Sequence, residues 1–156
     1  MLFILLFLPL KPPWYLFMSS VSAPDRLVSV ALCTYNGGAF LRQQLDSILG
    51  QTYKNIEVIA LDDCSADDTF SILEHYSRQD SRLKIFRNET NIGYNRNFEK
   101  AIALAGGEWI ALSDQDDIWH PDKIAILLAE WDQSSSLVYC ASKKITNHSQ
   151  VDFLGM

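Results

Sequence analysis

Strand-like and helix-like segments alternate along the chain from Leu27 onward, and this alternation limits the possible folds more than any other feature. Short β-branched and apolar runs indicate buried strands, and apolar residues at helical spacing follow most of them. The predicted strands are residues 27–33, 56–61, 83–86, 109–112 and 137–140. Such an alternation predicts an α/β fold with a mostly parallel sheet and helices on both faces.

Local signals also mark the helix ends. Ser65 with Asp68 three residues later resembles a capping box, with Asp in place of the usual Glu. Gly106-Gly107 indicates the end of the third helix, and Pro121 suits the first turn of the fourth. The apolar residues that mark the four helices are Phe40, Leu41, Leu45, Ile48 and Leu49; Phe70, Ile72, Leu73 and Tyr76; Phe98, Ala101, Ile102 and Ala105; and, on the buried side of the fourth, Ile124, Leu127, Leu128 and Trp131.

Polar residues follow the first, second and fourth predicted strands, at the point where each strand ends. They are residues 34–36, 62–63 and 114–117. In parallel α/β sheets, ligands bind at the carboxyl ends of the strands. We therefore expect these three groups to converge on one crevice.

The acidic cluster after the fourth strand suggests what binds there. Asp114 and Asp116 are two residues apart, so in an extended chain they point the same way, while Asp117 points elsewhere. Two hard oxygen ligands suit Mg²⁺ or Mn²⁺, which normally keeps waters and shares the phosphates of a substrate. Asp-x-Asp is common in loops, however, and a solvated polar turn is the alternative interpretation.

Composition narrows the function classes. The 156 residues are enough for one domain, and the net charge of −6 argues against a general nucleic-acid-binding protein, which would carry a basic patch. An anionic nucleotide remains a possible ligand because a metal ion can supply positive charge locally. Three widely spaced cysteines fit neither a disulfide framework nor a zinc site and indicate a reducing compartment, so we expect a cytoplasmic location.

Residues 1–24 form an apolar N-terminal extension that we set apart from the folded unit, residues 25–156. Its longest apolar run is far shorter than the roughly 20 residues that a membrane helix needs. Three interpretations stay open: a weak membrane anchor through residues 2–18 at the inner face of the cell membrane, a signal segment, or sequence translated from a wrongly chosen start. The last is favoured because Met18 just precedes the first convincing strand.

The motifs, taken in order, resemble the first part of a family 2 glycosyltransferase. They are residues 30–37, 47–53, 57–69, 91–97 and 107–119. The resemblance implies a GT-A (Rossmann-like) fold and the transfer of a sugar from a nucleotide-sugar donor to a glycan or lipid-linked acceptor in cell-surface polysaccharide synthesis. The form of residues 112–119 is similar to that of bacterial rhamnosyltransferases, which makes dTDP-rhamnose a candidate donor beside UDP-sugars.

The resemblance also implies roles on the nucleoside side of the site. Thr34 and Tyr35 would line the base and ribose pocket, Asp63 would accept a hydrogen bond from the ring N–H of uracil or thymine, and Asp62 would support Asp63. The alternatives are a core position for Tyr35 and helix capping for the two acids.

On the phosphate side, the resemblance implies that Asp114 and Asp116 are the family's Asp-x-Asp. Asp116 would be the direct metal ligand, Asp114 would also contact the nucleotide, and Arg96 would approach the diphosphate. Arg96 as a solvated charge is the alternative. We expect Asp117 to orient the following loop, and Gly37-Gly38 to form a turn because no P-loop lysine follows.

An inverting transferase also needs a general base. By resemblance this base is a carboxylate well beyond the metal motif, yet Asp152 is the only acid after Asp132, and its surroundings do not match the family's later motif. We therefore predict that the donor half is present while the C-terminal part, with the acceptor half and the general base, is missing. The alternative function is a nucleotide-binding-only or inactive remnant of such an enzyme.

Overall fold

The computed structural model describes residues 3–7, 26–114, 116–129, 137–140, 143–145 and 151–153. Eight strands and four helices lie within these residues. The strands are β1 Phe3–Phe7, β2 Val28–Thr34, β3 Ile56–Asp62, β4 Leu83–Arg87, β5 Trp109–Asp114, β6 Leu137–Cys140, β7 Lys143–Ile145 and β8 Val151–Phe153. The helices are α1 Gly38–Leu49, α2 Thr69–Ser77, α3 Tyr94–Ala103 and α4 Lys123–Ala129.

Six of the strands form one sheet in the order β4-β3-β2-β5-β1-β6. The pairs β4–β3, β3–β2 and β2–β5 are parallel, and β1 is antiparallel to both of its neighbours. Strands β7 and β8 form a separate antiparallel pair. The predicted α/β fold with a mostly parallel sheet is confirmed.

Helices cover both faces of this sheet because the central strands are apolar on both sides. Every residue of β2 and of β3 is buried. Helices α1, α2 and α4 pack on one face through Leu41, Leu45, Ile72 and Ile124. On the other face, Phe98 and Ala101 of α3 pack against β2, β3 and β5. The polar loops are thereby left at the ends of the strands.

One helix prediction was wrong in detail. Helix α2 begins at Thr69 with Asp68 as the N-cap residue, so Ser65 does not cap it. Phe40, one of the apolar residues at helical spacing, lies in the first turn of α1 and is 58% exposed. Trp131, predicted on the buried side of the fourth helix, lies outside the described residues.

The N-terminal extension contributes to the fold, although the sequence analysis set it apart. Residues Phe3–Phe7 form β1, which pairs with β5 on one side and β6 on the other. Five apolar residues are a normal strand length, so this run can insert beside β5. Among the described residues, none of the helices has the length and apolar composition needed to span a bilayer.

Candidate functional site

The strand register brings all three predicted polar groups to the same edge of the sheet. Thr34, the last residue of β2, pairs with Asp62 of β3, and Cys33 pairs with Asp114 of β5. Because neighbouring strands lie about 4.8 Å apart, the backbones of Asp62 and Asp114 are separated by roughly 10 Å across β2. The carboxyl ends of β2, β3 and β5 thus form one candidate site.

Asp62 is fully buried and joins the two loops beside it. Its Oδ1 accepts hydrogen bonds from Thr34 Oγ1 at 3.1 Å and from Ser65 Oγ, and its Oδ2 accepts one from Ser65 N at 3.0 Å. Arg87 Nε lies 3.3 Å from Oδ2, and Arg87 Nη2 donates to Ser65 O at 2.7 Å. A buried carboxylate requires partners of this kind, so Asp62 is a structural anchor of this edge.

Asp63 is also buried, but it binds the loop between β4 and α3. Its Oδ1 accepts hydrogen bonds from Asn88 Nδ2 at 2.8 Å and Ile92 N at 2.9 Å, and its Oδ2 accepts one from Gly93 N at 2.9 Å. Gly93 has a φ of 85°, a conformation that favours glycine. Asp63 therefore fixes the backbone that enters α3, and its Oδ2 keeps one lone pair for a further donor.

The loops after β2 and β3 are fastened directly to each other. Asn36 N donates to Ser65 Oγ at 2.9 Å, and Asn36 Oδ1 accepts from Ala66 N at 2.8 Å. Gly38 N donates to Asp67 Oδ2 at 3.0 Å, and a Cβ atom at Gly38 would lie 1.9 Å from Asp68 Oδ1. Gly37 is the N-cap residue of α1 and Gly38 its first residue, so the predicted turn at Gly37-Gly38 is instead the start of a helix. The close approach of the second loop explains the glycine at position 38.

Asp114 is half-buried at the end of β5, and among the described residues its carboxylate has one neutral side-chain partner. Tyr94 Oη, on the first residue of α3, donates to Asp114 Oδ2 at 3.3 Å. Burial raises the pKa of Asp114, the Tyr94 hydroxyl lowers it, and the charge of Asp116 raises it. Burial and the nearby Asp114 raise the pKa of Tyr94 to about 12.

Asp116 and Asp117 complete the acidic cluster. Asp116 is exposed, whereas Asp117 is half-buried, and its buried Oδ2 has no hydrogen-bond partner among the residues that the structure describes. Burial raises the pKa of Asp117 to about 6, Lys123 opposes the increase, and the charges of Asp116 and Asp114 add to it. The backbone turns here, since Asp117 N donates to Asp114 O at 3.3 Å.

This donor set fits a divalent cation that is shared with a ligand. The three carboxylates act on one another electrostatically, and one buried oxygen lacks a partner. No group of three or more acidic, histidine or cysteine side chains in the described ranges has the geometry of a metal cage. Mg²⁺ is usually held by one or two carboxylates together with waters and substrate phosphates, so a complete protein cage is not required.

Comparison with known proteins identifies the family. The profile of glycosyl transferase family 2 matches residues 29–154. The chain belongs to glycosyl transferase family 2.

Three relatives illustrate the similarity of this family 2 glycosyltransferase to characterised proteins. It is 35% identical over 129 residues to the Escherichia coli UDP-Glc:alpha-D-GlcNAc-diphosphoundecaprenol beta-1,3-glucosyltransferase WfgD, covering 81% of this chain and 50% of that protein. Staphylococcus aureus TarS 1-349 in complex with UDP superposes with a TM-score of 0.61 at 31% identity, covering 65% and 31% of the two chains. The Pyrobaculum calidifontis mannosyltransferase PcManGT in complex with GDP-Man and Mn²⁺ gives 0.59 at 26% identity, covering 64% and 30%.

The similarity supports an α/β domain of the GT-A type and a transferase by family. Several bacterial relatives are matched over only 33% to 50% of their own length. This family 2 chain therefore spans between a third and a half of those proteins. The predicted rhamnose specificity, the missing general base and the domain boundary at residues 24 and 25 stay predictions.

The predicted site residues of this glycosyltransferase differ in how accessible they are. Thr34 is 2% exposed and its hydroxyl faces Asp62, whereas Tyr35 is 48% exposed. Arg96 is exposed on α3. Tyr35 is therefore not a core aromatic, and its place in the base and ribose pocket stays a prediction.

The sequence analysis missed two residues that contact Asp114. Tyr94 contacts its carboxylate, and Gln44 of α1 donates to its backbone carbonyl. A signal for Gln44 existed, because it is a polar residue next to Leu45 on the apolar side of a predicted helix. No comparable signal marked Tyr94, since its position depends on the path of the loop that Asp63 holds.

Proposed function

We propose that this chain binds the nucleotide-sugar donor of a family 2 glycosyltransferase and serves the transfer of a sugar to a glycan or lipid-linked acceptor in cell-surface polysaccharide synthesis. The observation that carries the proposal is the arrangement of Asp62, Asp63 and Asp114 at one edge of a parallel sheet. Ligands of parallel α/β sheets bind at this edge. The relatives with bound UDP or GDP-Man support a nucleotide-sugar ligand.

On the nucleoside side, the donor's base would lie against Tyr35 and the loop held by Asp63. A uracil or thymine ring N–H would donate to Asp63 Oδ2, which within the described part of the chain accepts one hydrogen bond, from Gly93 N. Asp62 and Thr34 would act indirectly, since each is buried and bonded to the other. Their role would be to hold the loops in position.

On the phosphate side, Asp116 would be the direct ligand of Mg²⁺ or Mn²⁺, and Asp114 would contribute a second oxygen or contact the nucleotide. Bound there, the cation would neutralise charge that develops on the departing diphosphate. Arg96 on α3 would add a further positive charge near the diphosphate. The Mn²⁺ in the PcManGT complex supports a divalent ion for this family.

The donor itself is a dTDP- or UDP-sugar in this proposal, and dTDP-rhamnose is the candidate suggested by the resemblance of residues 112–119 to rhamnosyltransferases. We propose that the protein acts in the cytoplasm, where nucleotide sugars are available. A lipid-linked acceptor would be reached at the inner face of the membrane. Membrane association through residues 2–18 is not part of this proposal, because Phe3–Phe7 pair with β5 and β6 in the sheet.

Calorimetric titration of the full chain with dTDP and UDP, each with and without Mn²⁺, tests the donor site. We expect metal-dependent binding that Asp116→Asn removes, because the carboxylate charge is lost while the shape is kept. Asp122→Asn is the matched control, since it removes the same charge six residues later and should leave binding unchanged. A folded chain that binds neither nucleotide would contradict the proposal, and the stronger of the two ligands would identify the base.

A further inference from the structure

One side of α1 carries polar side chains that are turned into the molecule. Gln44 and Gln51 are fully buried, and Ser47 lies half-buried between them. Spacings of three and four residues bring side chains to one face of a helix, and Gln51 continues this face just after α1 ends. We call Gln44, Ser47 and Gln51 the α1 polar face. Buried polar groups of this kind require specific partners.

Gln44 meets the end of β5. Its Nε2 donates to Ser113 Oγ at 2.7 Å and to the backbone carbonyl of Asp114. Gln44 and Asp114, the first residue of the acidic cluster, are 70 positions apart in the sequence. Gln44 therefore fixes the backbone from which the Asp114 side chain projects.

Ser47 and Gln51 hold the chain beyond the acidic cluster. Ser47 Oγ accepts a hydrogen bond from Trp119 N at 3.0 Å. Gln51 Nε2 donates to His120 O at 2.7 Å, and Gln51 Oε1 accepts from Ile124 N at 3.1 Å. These hydrogen bonds all go to backbone atoms, so they define the path of the chain.

Asp116 and Asp117 lie between the contact made by Gln44 and the contact made by Ser47. Within the described residues, their carboxylates accept no side-chain hydrogen bond that would hold them in place. Their placement must therefore come from the backbone on either side. Trp119, which is buried in the core at the second contact, strengthens that end of the segment.

We propose that the α1 polar face positions the acidic loop, by which we mean Asp114, Asp116 and Asp117, for the divalent cation and the diphosphate. This inference rests on the proposed function, since it assigns positioning residues to the same site. Groups that orient metal ligands from behind typically change metal affinity by roughly 10- to 100-fold when they are removed. The three side chains would act through the loop backbone and would not touch the ligand.

The decisive variant is Gln44→Met, which keeps the length of the side chain and removes both donors. Its matched control is Gln43→Met, because Gln43 is the adjacent residue of α1 and is exposed. Mn²⁺ binding to the full chain is measured by electron paramagnetic resonance, and folding is checked by urea denaturation. We expect about 10- to 100-fold weaker Mn²⁺ binding in folded Gln44→Met and no change in Gln43→Met. Equal Mn²⁺ affinity in both variants would overturn the proposal.

A second measurement separates this inference from the proposed function. Ser47→Ala removes the acceptor of Trp119 N, so amide hydrogen exchange of Trp119 should become faster, whereas Ser47→Thr should restore protection. The amide of Ile72, which donates to Asp68 O in α2, should not change. If the unmodified chain does not bind Mn²⁺, the proposed metal site fails, while faster exchange at Trp119 still supports positioning. Unchanged exchange in Ser47→Ala would overturn positioning whatever the metal result.

Discussion

The two sides of the candidate site hold their carboxylates in opposite ways. Asp62 and Asp63 are 0% and 3% exposed, and both oxygens of each accept hydrogen bonds from the loops around them. Asp114 and Asp117 are only half-buried, and Asp116 is exposed. The carboxylate oxygens of Asp62 and Asp63 accept hydrogen bonds from within the protein, whereas those of the acidic loop accept few among the described residues.

This difference indicates that Asp62 and Asp63 stabilise the fold, whereas the acidic loop has oxygens available for a ligand. Hydrogen bonds from amides, hydroxyls and Arg87 stabilise the charge of Asp62 and Asp63 within the fold. The raised pKa values of Asp114 and Asp117 show instead that burial and mutual repulsion disfavour their charged forms. A cation would relieve that repulsion, so the acidic loop is the side where a ligand has most to contribute.

The strongest test of the contrast is Asp62→Ala. It leaves Ser65, Thr34 and Arg87 without a buried acceptor, and hydrogen bonds to a buried charge contribute about 1.5–3 kcal/mol each before relaxation. We expect the free energy of unfolding to fall by about 3 kcal/mol in urea denaturation. Asp116→Ala, on the exposed side, should change it by less than about 0.5 kcal/mol. Equal losses in the two variants would remove the distinction between the two sides.

A smaller effect of opposite sign is expected for Asp117→Asn. The pKa of Asp117 is about 6 in the folded chain and about 4 in an unfolded one. Below pH 4 both states hold the proton, so the group contributes nothing. As pH rises from 4 to 6 the unfolded state ionises first, and the free energy of unfolding falls by the linkage relation. Above pH 6 this loss is complete.

Asp117→Asn should therefore stabilise the protein at pH 8 by about 1 kcal/mol, after allowance for solvent screening, and the gain should vanish at pH 4. Urea denaturation at pH 4, 5, 6 and 8 in the presence of a chelator measures it. Asp122→Asn controls for the loss of one negative charge in the same region. A destabilised Asp117→Asn at pH 8 would mean that the buried carboxylate oxygen has a partner in solution.

The sequence alone predicted the α/β sheet that positions both groups of carboxylates. The order of strands and helices, the helices on both faces and the shared edge of Asp62, Asp63 and Asp114 follow from local apolar spacing and from the rule that parallel strands end together. These signals are short-range or topological, so they can be read without knowing any side-chain contact.

The contacts within the site could not be predicted in the same way. Asp63 binds the loop at Ile92 and Gly93, about thirty positions away, and no local pattern specifies that partner. The Ser65 capping box was wrong because the Ser65 hydroxyl instead donates to Asp62 and accepts from Asn36. Local propensity was overridden by tertiary hydrogen bonds.

The N-terminal strand was missed for a different reason. An apolar run of five residues, such as Phe3–Phe7, has no period that distinguishes a strand from a membrane-directed segment. The strand forms because the edge of β5 opposite β2 offers backbone partners to Leu5, Leu6 and Phe7. The sequence does not reveal that this edge lacks another neighbour.

The smallest expected effect concerns Tyr94, which is 64% exposed and donates to Asp114 at 3.3 Å. Tyr94→Phe should change the free energy of unfolding by less than about 0.5 kcal/mol. It should nevertheless raise the pKa of Asp114, because the hydroxyl is the group that lowers it. Carboxyl-carbon NMR titration measures this pKa, and Tyr35→Phe, at the other exposed tyrosine of this edge, should leave it unchanged.

An unchanged pKa of Asp114 in Tyr94→Phe would mean that the hydroxyl does not reach the carboxylate in solution. The acidic loop would then lack any neutral side-chain donor among the described residues, and the contrast with Asp62 and Asp63 would be greater than the structure indicates. A raised pKa would show instead that Tyr94 shields one oxygen of Asp114. A cation that uses this oxygen would then have to displace the Tyr94 hydroxyl first, which gives Asp116 the freer approach to the metal.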